Sequence, residues 1–138
     1  MLTRIISVLM VEDDPADVLF YKELLTRGHY YHVMITDVAR ASRAVEMLRT
    51  RAFDVVLLDV NLVDTKGLET VETVAPAAEA NHIPVIALSS SDNKELAMQA
   101  VLAGAVNYLV KGQDDAQLVS NIIHHTINHY KRSHTAYA

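Results

Sequence analysis

Glu12, Asp13, Asp59, the serines Ser89, Ser90 and Ser91, and Lys111 each follow a short apolar run. Asp59 ends the run Val55-Val56-Leu57-Leu58, and Glu12 and Asp13 end a run over residues 5–11. A carboxylate at the tip of a buried strand is poorly solvated unless something binds it. Two adjacent carboxylates repel one another by roughly 4 kcal/mol at about 4 Å and an effective dielectric near 20. A hard cation relieves both costs. Mg²⁺ takes oxygen ligands and typically combines one or two carboxylates with phosphate oxygens. A spare Asp beside it can act as a nucleophile and form an aspartyl phosphate. The transferred group spreads negative charge over its equatorial oxygens, and a metal, an ammonium and a hydroxyl can stabilise that charge. These residue types point to phosphoryl transfer.

Each residue also has a plainer reading. Asp14 followed by Pro15 is explained as a helix N-cap with proline at the first helical position. Serines after a strand often cap the next helix, and a single lysine is usually solvated. Asp59 alone is balanced between cap and function. What favours chemistry is the conjunction, because four plain explanations would have to coincide at one edge of one sheet.

The chain must supply such a sheet. Short, β-rich apolar runs lie at residues 5–11, 32–36, 55–58, 84–88 and 106–110. They read as strands buried on both faces. Between them, residues 15–27, 41–51, 68–80, 93–103 and 114–132 read as helices. Gly28 and Gly104 stand where helix C-caps fall. Asp92 with Glu95, and Asp114 with Gln117, resemble capping boxes. Five βα repeats predict an α/β fold, a five-stranded parallel sheet with helices on both faces. Ligands of such sheets bind outside the carboxyl ends of the strands, where the acids, serines and lysine fall.

Composition narrows the classes. A chain of 138 residues, 51% hydrophobic, fits one domain with a real core. Cysteine is absent, which excludes disulfides and thiolate metal sites and fits a reducing cytoplasm. A net charge of −5 argues against direct nucleic-acid binding. No apolar run nears the roughly 20 residues of a membrane span, so no membrane insertion is expected. The N-terminal run fits a buried strand better than a signal peptide.

Four motifs, in order and at these spacings, carry a family resemblance: Val8-Leu9-Met10-Val11-Glu12-Asp13-Asp14, Leu57-Leu58-Asp59-Val60-Asn61-Leu62, Pro84-Val85-Ile86-Ala87-Leu88-Ser89-Ser90, and Gly104-Ala105-Val106-Asn107-Tyr108-Leu109-Val110-Lys111. Together they resemble the CheY-like receiver domains of two-component response regulators, over about residues 4–130. The resemblance implies a doubly wound, flavodoxin-like (βα)5 fold and a phosphorylation-dependent signalling switch. It makes Asp59 the phosphoacceptor. Mg²⁺ (or Mn²⁺) would be bound by Asp13, by Glu12 mainly through water, by Asp59 and by the backbone carbonyl of Asn61. Ser89, with Ser90 beside it, would meet the phosphoryl group, as would Lys111, and Tyr108 would turn inward when Ser89 moves. The implied donor is a sensor histidine kinase or phosphotransfer protein. The implied output surface is the fourth helix, fifth strand and fifth helix, through which a homodimer or an effector would be engaged. A receiver of this kind is a cytoplasmic phosphoacceptor rather than an enzyme acting on free substrates.

Two positions depart from the family pattern. Gly112 follows Lys111 where most members have proline in a cis bond, and a cis bond before a non-proline residue costs about 3–4 kcal/mol. A trans, flexible loop is therefore expected, with a less certain reach for Lys111. Val63 replaces a proline four residues after Asp59, which is expected to loosen the loop toward Gly67. The intact set of Glu12, Asp13, Asp59, Ser89 and Lys111 argues against a pseudo-receiver acting as a phosphorylation-independent scaffold, but Gly112 keeps that second reading open. An Asp-nucleophile phosphatase of the haloacid-dehalogenase type fits poorly, because its second acid would stand where Asn61 does. A nucleotide-binding module lacks its glycine-rich motif, with only 4 Gly in the chain.

The domain is expected to span residues 1–132, with 133–138 a tail or the start of a linker to an effector domain. In the last helix, Val119, Ile122, Ile123, Thr126 and Tyr130 form an apolar stripe expected to pack on the sheet. His125 and His129 have a spacing that can bind zinc, but lacking a third ligand they read as a solvated face.

Overall fold

The structure is a computed structural model that describes residues 4–27, 32–90, 94–112 and 115–135. Strands β1 (Ile5–Val11), β2 (His32–Val38), β3 (Val55–Asp59), β4 (Val85–Ser89) and β5 (Asn107–Val110) alternate with helices α1 (Pro15–Thr26), α2 (Ala41–Thr50), α3 (Leu68–Ala80), α4 (Lys94–Leu102) and α5 (Ala116–Thr135). The strands form one sheet in the order β2-β1-β3-β4-β5, and every neighbouring pair is parallel.

Successive side chains of a strand point to opposite faces, and here both faces are covered. On one face Ile6, Val8 and Met10 of β1 and Val55 and Leu57 of β3 meet Tyr21, Leu24 and Leu25 of α1 and Val119, Ile123 and Ile127 of α5. On the other, Leu9, Val11, Val56 and Leu58 meet residues of α2, α3 and α4. That double coverage is why β1, β3 and β4 read as nearly continuous apolar runs. The edge strands differ from the expectation. In β2, His32, Met34 and Asp37 are exposed, and most of β5 is only half-buried. An edge strand has one neighbour and less helix above it. Strand β2 also runs two residues past its expected end, paired with β1 as far as Val38.

The caps explain the helix ends. Asp14 Oδ1 accepts the N–H of Ala16 at 2.9 Å, with Pro15 opening α1. After α4, the N–H of Ala105 donates to the Ala100 carbonyl at 3.0 Å and that of Gly104 to Val101 at 3.1 Å, the paired bonds of a Schellman ending. Gly104 has φ +125, and a Cβ there would stand 2.7 Å from that of Ala75. Helix α5 is capped by Asp115, whose Oδ1 accepts the N–H of Leu118 at 2.8 Å. Gly28, Asp92 and Asp114, expected as cap residues, lie outside the described residues, as do Ser91 and Asn93. The α5 stripe centres on Val119, Ile123 and Ile127, with Ile122 and Tyr130 half-buried. Ile127, one turn beyond Ile123, belongs to the stripe although its sequence reading left it out. Among the described residues no helix is long and apolar enough to cross a membrane.

Candidate functional site

The sheet register assembles the site. Val11 pairs with Leu58, so the residues that follow, Glu12 and Asp59, emerge side by side. Asp59 pairs with Leu88, and Ser89 with Val110. The N–H of Lys111 donates to the Ser89 carbonyl at 2.8 Å, fixing where its side chain starts. The sheet order turns between β1 and β3, the crevice where ligands of doubly wound sheets bind. There Glu12, Asp13, Asp59, Asn61, Ser90 and Lys111 line a cleft of about 600 Å³. A second cavity, about 660 Å³, lies at the other end of β5, away from the carboxylates.

One ammonium meets three carboxylates. Lys111 Nζ lies 2.7 Å from Glu12 Oε2, 2.9 Å from Asp17 Oδ2 and 2.9 Å from Asp59 Oδ2. The other oxygens of Glu12 and Asp59 are held by backbone: Asp14 N–H donates to Glu12 Oε1 at 3.2 Å, and Asn61 N–H to Asp59 Oδ1 at 2.9 Å. Glu12 and Asp59 are buried and Asp13 half-buried. Burial, and then the neighbouring Asp59 carboxylate, push the Glu12 carboxyl up to about 8, against the pull of Lys111. Burial works to lower the Lys111 pKa, but its bonds to Glu12, Asp59 and Asp17 outweigh burial and hold the ammonium above its usual range.

Carboxylate oxygens of Glu12, Asp13 and Asp59 all lie within 4.8 Å of one another. They are hard oxygen donors, and one of the three is partly open to solvent. This donor set fits Mg²⁺ or Mn²⁺ rather than a softer metal. The histidines of α5 do not make a comparable group among the described residues.

Serine 89 sits at the buried end of β4, beside the cleft rather than in its wall. Tyr108 stands apart from the cleft, half-buried against the core on the α2–α3–α4 face. Gly112 supports the expectation of a trans loop. No cis peptide occurs among the described residues, and Gly112 takes φ +79, which glycine adopts without strain. Lys111 reaches the carboxylates all the same, so the trans bond does not cost it its reach.

The loop after β3, which carries Val63, makes several hydrogen bonds. Leu62 N–H donates to the Thr65 carbonyl at 2.9 Å, and Thr70 Oγ1 donates to the Val60 carbonyl at 2.8 Å. Asp64 reaches across to α2, accepting the N–H groups of Ala41 at 2.9 Å and Ser42 at 3.1 Å. Sequence reading missed both Asp17 and Asp64. Asp17 had a signal: it lies three residues after the cap Asp14, where the acid of a capping box would stand. Asp64 had none, since its partners are more than twenty residues away in sequence.

The response regulator receiver domain profile matches residues 8–123, most of the chain. The chain belongs to the response regulator receiver domain family. This receiver domain is 34% identical over 109 residues to the transcriptional regulatory protein ZraR of Escherichia coli O157:H7, covering 79% of the chain and 24% of ZraR. It is 35% identical over 122 residues to the two-component response regulator ARR18 of Arabidopsis thaliana, covering 87% of the chain and 18% of ARR18. It thus spans a quarter or less of these two relatives. Its fold is similar to the receiver domain of the sensor histidine kinase PA1611 of Pseudomonas aeruginosa PAO1, with a TM-score of 0.75 at 22% identity over 89% of this chain and 98% of that one. That relative's structure has a magnesium ion coordinated in its active-site cleft.

Proposed function

We propose that this receiver domain is a signalling switch whose Asp59 takes a phosphoryl group from a phosphohistidine on a sensor histidine kinase or phosphotransfer protein. An oxygen of Asp59 forms the new O–P bond, the P–N bond breaks, and its electron pair returns to the donor imidazole. The observation that carries this reading is the setting of Asp59. It is a buried carboxylate with one oxygen oriented by Asn61 N–H and the other facing the Lys111 ammonium.

Glu12, Asp13, Asp59 and the Asn61 carbonyl would hold Mg²⁺ or Mn²⁺. When bound, the ion would neutralise the cluster and draw charge from the phosphoryl oxygens. Lys111 meets the charge that develops on the phosphoryl group. Ser89, with Ser90 beside it, offers a hydroxyl, and Tyr108 fills the space that Ser89 leaves. The added charge of roughly −1.5 to −2 biases a two-state change in α4, β5 and α5, the surface offered to an effector or a second copy. The product stays on Asp59, so the chain is its own substrate rather than an enzyme with free substrates. A domain over residues 1–132 followed by a tail or linker, in the cytoplasm, belongs to the same reading.

The scaffold alternative rested on Gly112, and the contact of Lys111 with Asp59 favours the switch. Radiolabelled phosphoryl transfer from a kinase or acetyl phosphate with Mg²⁺ tests it. Label should enter the wild type and be lost in Asp59→Asn; equal labelling of the two would refute the assignment.

A further inference from the structure

Lysine carries three N–H donors, and Lys111 faces three carboxylate acceptors at 2.7–2.9 Å. A phosphoryl oxygen can take a Lys111 hydrogen only if one acceptor gives way. Glu12 and Asp59 belong to the carboxylate cluster whose charge changes when a cation and a phosphoryl group arrive. Asp17 does not. It sits in the first turn of α1, behind the Asp14 cap and one turn before Tyr21, which is buried in the core. Its carboxylate is therefore carried by a packed helix, while Lys111 is carried by a loop that turns at Gly112. No side chain at Gly112 anchors that loop, and even a Cβ there would touch nothing within 4 Å.

We propose that Asp17 is a positioning residue: it holds Lys111 in its resting place and competes with the phosphoryl group for the ammonium. Asp17 thereby sets how firmly Lys111 grips phosphorylated Asp59, and so how long the switch stays on. This proposal rests on the phosphoacceptor reading above. A charge-assisted bond to a partly exposed carboxylate is worth enough to shift anion affinity by about threefold to tenfold.

The test uses the full chain, saturating Mg²⁺ and beryllofluoride, a phosphoryl mimic, titrated by NMR. Asp17→Asn should bind beryllofluoride about threefold to tenfold more tightly, and its aspartyl phosphate should decay more slowly by a similar factor. Asp17→Glu should bring both values back toward wild type. In a Lys111→Gln background, Asp17→Asn should change affinity by less than about twofold, because the competition has no lysine to act on. Where that background binds too weakly to titrate, Lys111→Arg replaces it. Arginine offers five donors, so the gain from Asp17→Asn should shrink there too. An equal gain in both backgrounds would assign Asp17 a general charge effect and overturn the proposal, as would no gain in the wild-type background. If wild type itself neither binds beryllofluoride nor takes a phosphoryl group, it is the phosphoacceptor reading that fails.

Discussion

Lys111 donates to Oδ2 of Asp59 at 2.9 Å although the peptide bond that follows it, to Gly112, is trans. The reach of this lysine comes from two features. Its backbone N–H is bound to the Ser89 carbonyl, and its head group lies among three carboxylates. Removing it should expose what it balances. Lys111→Met leaves Glu12, Asp17 and Asp59 without their shared cation, which should cost about 3 kcal/mol of stability in the absence of metal. Mg²⁺ should restore much of that loss. The check is thermal unfolding with and without Mg²⁺, and the metal-induced rise in Tm should be larger in Lys111→Met than in wild type.

The Glu12 carboxyl, pushed up to about 8 from 4.5, gives a pH dependence of definite sign. The folded state holds the Glu12 proton more tightly than the unfolded chain does. The stabilisation is therefore complete below the unfolded value of 4.5 and is lost as pH rises toward about 8. Urea unfolding across this window without metal should show stability falling, and Glu12→Gln should flatten the slope. Mg²⁺ affinity should rise over the same window, as the proton that competes with the cation leaves. An unchanged slope in Glu12→Gln would contradict this origin.

Asp64 ties the loop after Asp59 to the start of α2, where Arg40 offers no side-chain cap. Burial is the largest single influence and pushes its pKa up, but the bonds from Ala41 and Ser42 together outweigh it and hold the carboxyl below its usual value. A depressed carboxyl stabilises the fold above its unfolded pKa, and that contribution disappears as pH falls through the folded value. Asp64→Ala should therefore cost about 1 kcal/mol at neutral pH, with a smaller difference from wild type in acid. Denaturation at both pH values measures it.

Gly112 and Gly104 separate two uses of glycine. Ala at Gly112 would meet nothing within 4 Å but would be held at φ +79, so it should cost about 1 kcal/mol. Ala at Gly104 would add a clash with Ala75 to an unfavourable φ, so it should cost more, about 2–4 kcal/mol. Chemical denaturation of the two variants should show that order. Gly112→Pro cannot keep φ +79, so NMR should show the loop rebuilt around Lys111.

Much of this was legible in the sequence because it follows from periodicity. Runs such as Val55-Val56-Leu57-Leu58 announce strands covered on both faces, and a parallel sheet must send Glu12, Asp59, Ser89 and Lys111 to one edge. The remainder depends on contacts that no local pattern encodes. Asp17 reads as a helix-start acid until the residue after β5, Lys111, is brought against it. Asp64 reads as a loop residue until α2 is brought against it. The half-exposed face of β2 follows from its place at the sheet edge, which composition does not give. Tyr108 lies on the α4 face because residues alternate along β5, and sequence alone did not say which face that would be.

Locating the phosphoryl group is the most direct test of the whole reading. The chain should be treated with acetyl phosphate and Mg²⁺, reduced with borohydride to trap the acyl phosphate, and mapped by peptide mass spectrometry. The trapped product should fall on Asp59 and vanish in Asp59→Asn. Trapping at another carboxylate, or none in a wild-type chain shown by NMR to be folded and to bind Mg²⁺, would contradict it.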